Sequence, residues 1–116
     1  MTPDEFRHEM EAYWQAVHEE ANEFKVPHVA QKRMYALYRK LDAEERAMAD
    51  QVLAEWVLLE DSRNFVTLAL IEDFKIASAA PALAQLARRY ASSLAPGARY
   101  ELEKVNRIIA ELRAEN

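Results

Sequence analysis

A single glycine, Gly97, in a chain of 116 residues narrows the accessible folds more than any other feature. Hairpin-rich sandwiches, dinucleotide-binding folds and phosphate loops all place glycine at tight turns and close backbone approaches, so one glycine argues against each of them. The absence of cysteine removes disulfides, thiolate catalysis and sulfur-ligated zinc, and fits a reducing compartment. With 51% hydrophobic and 30% charged residues the chain is neither disordered nor of low complexity. Its length predicts a single domain over residues 1–116. An all-α domain is the class that remains.

Hydrophobic spacing divides the chain into about six antiparallel helices. Thr2-Pro3-Asp4-Glu5 reads as a capped start, followed by Phe6, Met10, Tyr13, Trp14, Val17, Ala21 and Phe24 on one face, and Val26-Pro27 ends this N-terminal helix of residues 1–26. A second helix runs from about His28 to Leu41. Asp42 with Glu45 forms a capping box for a third, which reaches about Leu59. Asp61 or Ser62 is expected to cap a fourth, to about Lys75. It is apolar on nearly every side and is expected at the centre of the core. The fifth, from about Ala80 to Leu94, carries a stripe of Leu83, Leu86, Ala87, Tyr90 and Leu94. Pro96-Gly97 turns the chain into a sixth with Leu102, Val105, Ile109 and Leu112 inward, before a tail expected to fray at Glu115-Asn116.

A weak repeat links alternate helices. Leu37-Tyr38 with Leu41, Leu70-Ile71 with Phe74, and Ile108-Ile109 with Leu112 each place an apolar residue three positions after an apolar pair. From Arg63 to Leu94 an Ala-Leu helix, a short turn and Pro-Ala-Leu opening the next helix resemble a HEAT-type helical hairpin. A looser resemblance extends over 28–114. The inter-helix turns depart from that pattern, lacking the Asp and Arg or Lys positions a well-formed array often carries. The resemblance implies a stack of α-hairpins and a binding role as scaffold or enzyme partner, with DNA-repair glycosylases an occasional variant. An irregular six-helix bundle is the alternative architecture.

No motif carries catalysis, a cofactor or a metal. Glu5 and His8 have the Glu-x-x-His spacing of di-iron bundles, but the motif occurs once and on the polar side of its helix. His18 and His28 lack the neighbours a zinc site needs. Ser62, Ser78, Ser92 and Ser93 have no base nearby and no nucleophile elbow. The expectation is therefore a non-enzymatic protein-interaction module without cofactors, with a bacterial immunity or antitoxin-like protein and a nucleic-acid-binding repeat as alternatives. The candidate partner surface is the polar side of the fifth helix, Gln85, Arg88, Arg89 and Ser92, together with Trp14 at the edge of its stripe.

Charge is segregated along the chain. Residues 1–24 hold seven acids and one base, whereas residues 25–41 hold five bases (Lys25, Lys32, Arg33, Arg39 and Lys40) and no acid. Mutual neutralisation across a hairpin of the first two helices accounts for both blocks, and the net charge of −5 argues against nucleic acid as a partner. No segment reads as a signal peptide or a membrane span, which predicts a cytoplasmic protein; self-association is left open.

Overall fold

The computed structural model describes residues 1–114; the tail Glu115-Asn116 lies outside the described residues. Among the described residues the chain is all-α, with six α-helices and no strand: α1 (Pro3–Phe24), α2 (Pro27–Lys40), α3 (Ala43–Val57), α4 (Asn64–Asp73), α5 (Ala80–Ala91) and α6 (Ala98–Ala114). A short 3₁₀ turn, Ala77–Ala79, leads into α5. The chain divides within α3 into two compact units, residues 1–52 and Leu53 onward.

In the first unit, the Thr2 hydroxyl accepts the Glu5 N–H at 3.2 Å, and Asp4 and Glu5 place negative charge at the start of α1. Phe6, Met10, Trp14, Val17 and Ala21 are buried, three or four residues apart, as a helix with one covered face requires. Phe24, the last member of the expected stripe, is instead 65% exposed. Lys25 turns left-handed at φ 55° and its N–H closes on the carbonyls of Ala21 and Asn22, so the stripe ends where the chain reverses.

The α2 helix returns antiparallel to α1, burying Ala30, Met34 and Tyr38. Across this hairpin the Tyr13 hydroxyl donates to the Arg33 carbonyl at 3.4 Å, and Arg33 pairs with Glu20 at 2.7 Å. The capping box of α3 is complete: Asp42 Oδ1 accepts the Glu45 N–H at 2.8 Å and Glu45 Oε1 accepts the Asp42 N–H at 3.0 Å.

One half-buried polar contact ties α2 to α3. The Tyr38 hydroxyl donates to Asp50 Oδ1 at 2.8 Å, with the Arg46 guanidinium 5.1 Å from the ring centroid. Burial is the main force raising the Tyr38 hydroxyl far above its ordinary value. Burial also raises the Asp50 carboxyl, against the opposing pull of the Tyr38 hydrogen bond and Arg46.

In the second unit, α4 begins at Asn64 rather than at the expected Asp61 or Ser62 cap. The Asp61 carboxylate accepts the Arg63 N–H at 2.9 Å and its guanidinium at 2.6 Å, building a local turn that competes with the helix. The Arg63 hydrogen bonds hold the Asp61 carboxyl below its usual range, against burial. The α4 helix buries Val66, Thr67, Leu68, Leu70 and Ile71, while Phe65 on its remaining side is 63% exposed. The α5 and α6 helices pair as a hairpin across Pro96-Gly97, where Gly97 adopts φ 82°. Their buried faces are Ala82, Leu83 and Leu86 on α5, and Ala98, Val105, Ile108, Ile109 and Leu112 on α6. The α4 helix packs on α6, with Arg107 reaching Glu72 at 3.1 Å.

Thr67 is fully buried, and its hydroxyl has no hydrogen-bond partner among the described residues. A buried hydroxyl without a partner carries its desolvation penalty uncompensated. Thr67→Val is therefore expected to raise stability by about 1 kcal/mol, read as a higher urea midpoint at unchanged slope. A lower midpoint would mean that the hydroxyl holds a bonded water.

Candidate functional site

A concavity of the second unit lies where α5 turns into α6. It is a groove of about 530 Å³, and its polar and aromatic walls include Glu60, Arg89, Tyr90, Tyr100 and Glu101, with Gly97 at the turn. Glu60 follows the end of α3 in a left-handed conformation, φ 53°. Arg89 Nη1 donates to the Leu58 carbonyl at 2.8 Å and to Glu60 Oε2 at 3.0 Å, so α5 anchors the segment that follows α3. Glu60 is thereby held at the groove wall by an ion pair that is partly open to water.

Tyr90 sits beside this pair. Burial raises its hydroxyl above the usual tyrosine range, and the Glu60 and Glu101 carboxylates push it further in the same direction. The phenol therefore stays protonated near neutral pH, able to donate or accept a hydrogen bond but not poised as a base. No histidine lines the groove.

Three large apolar side chains adjoin this region in the chain. Leu59 is 51% exposed, Tyr100 69%, and Leu94 is fully open to solvent. Leu94 was expected to continue the buried stripe of α5, but α5 ends at Ala91 and Leu94 falls in the following turn. Its exposure follows from the early end of that helix.

Gln85, Arg88, Arg89 and Ser92 share the exposed side of α5, as their spacing predicts. Arg89 alone among them lines the groove, and its guanidinium is occupied by Leu58 and Glu60. Ser92 is the C-cap of α5, with its N–H on the Arg88 carbonyl. Trp14 is removed from the candidate surface: it is 5% exposed and stacks on His18 with centroids 5.1 Å apart. It falls within the buried stripe of α1 with Met10 and Val17.

Tyr90, Tyr100, Glu60 and Glu101 were not singled out from sequence. The one available signal was Pro96-Gly97, because the strongest turn in the chain brings the end of α5 next to the start of α6. Glu5 and His8 are exposed on α1, and no group of three or more His, Cys, Asp or Glu residues could hold a metal ion among the described residues. Among these residues, no helix is long and apolar enough to cross a membrane.

These features define a protein that is all-α, with six helices among the described residues, and a groove at the α5–α6 turn beside exposed apolar side chains. Compared with family models, curated proteins and solved structures, the chain matches none.

Proposed function

We propose that the chain is a non-enzymatic protein-binding module of the HEAT-like helical-hairpin type, engaging its partner at the α5–α6 turn. The observation that carries this reading is Leu94, fully exposed at the turn beside the groove of Glu60, Arg89, Tyr90 and Tyr100. An exposed leucine beside a groove that mixes apolar and aromatic walls with a few charged groups has the usual composition of an interface, where the apolar part supplies affinity and the polar part orientation. The helix–turn–helix pairing of α5 with α6 agrees with a hairpin repeat.

A photo-crosslinker placed at position 94 is expected to trap one protein, which a crosslinker at the exposed Ala36 on α2 does not trap. With that protein purified, Leu94→Asp should weaken binding at least tenfold, since burying a leucine contributes about 1.5–3 kcal/mol. Stability should be unchanged because the native side chain touches water. Identical trapping from both positions, or unchanged affinity of the Leu94→Asp variant, would sink the reading.

A further inference from the structure

The geometry points to a second binding surface, on the first unit, that takes a basic amphipathic helix of another protein. It lies where the start of α1, the end of α2 and the start of α3 come together. Met1, Phe6, Met10, Leu37 and Leu41 wall a groove of about 230 Å³ there, room for one large apolar side chain.

The groove forms because the apolar stripes of α1 and α2 are not fully covered at this end. Phe6 and Met10 are buried at its floor, and Met1 is 66% exposed. Leu37 and Leu41, four residues apart and therefore on one side of the chain, are half-buried. Tyr13 also lines the groove, and its hydroxyl on the Arg33 carbonyl at 3.4 Å fixes that wall. The two methionines adapt to the shape of an entering side chain.

Charge selects the occupant. Residues 1–24 hold seven acids and one base, and neutralisation by α2 was expected to absorb the excess. Among the described residues one ion pair crosses the hairpin, Arg33 with Glu20, while Asp4 is taken by Arg7. Glu9 lines the groove from α1 and is exposed, and Glu5, one turn earlier on the same side, extends the acidic rim. Glu45 lines it from α3, where its Oε1 accepts the Asp42 N–H at 3.0 Å, which holds the carboxylate in place. No lysine, arginine or histidine lines the groove.

An apolar groove rimmed by carboxylates matches a helix with a large apolar anchor and Lys or Arg about one turn to either side. The anchor enters the groove, the long basic stems cover its methionines, and their charges reach the rim. An acidic helix would meet repulsion from Glu9 and Glu45. A second copy of this chain is a poor occupant, because its own basic helix, α2, has Ala30, Met34 and Tyr38 already buried.

The test uses a labelled 18-residue helical peptide with leucine on one face and lysine on the other. Fluorescence anisotropy with the full chain should show saturable binding at 150 mM salt, weakening severalfold at 500 mM as exposed charges are screened. In protein carrying ¹³C-methyl methionine, the peptide should shift the Met1 and Met10 resonances more than those of Met34 and Met48, which do not line the groove. Glu9→Lys, at an exposed position, should weaken binding severalfold with its helicity unchanged by circular dichroism, whereas Leu94→Asp in the second unit should leave it unaltered. A peptide with serine for leucine should bind at least tenfold more weakly, and one with glutamate for lysine should not bind. No saturable binding at 150 mM salt, Met1 and Met10 unshifted, indifference to Glu9→Lys, or equal affinity for either control peptide would overturn the proposal. Met1 and Met10 shifts that grow with protein concentration alone would place a second copy in the groove and overturn it too.

Discussion

Trp56→Ala is expected to destabilise the protein by about 3–5 kcal/mol, the range for truncating a buried aromatic. Trp56 is 2% exposed near the end of α3, and the Arg63 guanidinium lies 5.1 Å from its ring centroid. The same guanidinium holds Asp61 at 2.6 Å, so the ring is also the floor of the turn that precedes α4. Removing it leaves a cavity and frees that turn at once. Trp56→Phe keeps an aromatic surface for Arg63 and should lose distinctly less. Urea denaturation followed by circular dichroism measures both, and Trp14 remains as a fluorescence reporter of the first unit. A loss under about 1 kcal/mol for the alanine variant would mean that the site collapses to fill the space.

Leu70→Ala is expected to cost about 2–5 kcal/mol. Leu70 is 1% exposed, and its neighbours in sequence and on the same helix, Leu68 and Ile71, are fully buried. The α4 helix has ten residues, too few to be stable without packing, so its helicity depends on the apolar surface it covers. The exposed Phe65 on the same helix provides the internal control: Phe65→Ala removes a larger side chain from a position 63% open to water and should cost much less. Equal losses at the two positions would show that α4 is not the centre of the second unit's core.

Trp56→Ala also bears on the α5–α6 groove. Its wall depends on the segment between α3 and α4, because Arg89 grips the Leu58 carbonyl and Glu60 there. Trp56→Ala therefore threatens the groove as well as the core, whereas Leu94→Asp alters the exposed apolar rim alone. Binding measurements on the two variants separate a lost surface from a lost fold.

What the sequence determined by itself was local. The Thr2 cap, the Asp42–Glu45 box and the buried stripe from Phe6 to Ala21 all depend on residues within one or two turns of each other, and each stands where the spacing predicts. The all-α class followed from the same periodicity and the single glycine. Only the tertiary structure decided where each stripe is covered, because that depends on how far a partner helix extends. Phe24, Phe65 and Leu94 are apolar by sequence yet exposed, whereas Trp14 at the edge of its stripe is buried. Competition for Asp61 moved the start of α4, and Arg33 closes on Glu20 across the hairpin of α1 and α2. The groove of Glu60, Arg89, Tyr90 and Glu101 joins residues about forty positions apart, and helical periodicity carries no information at that separation.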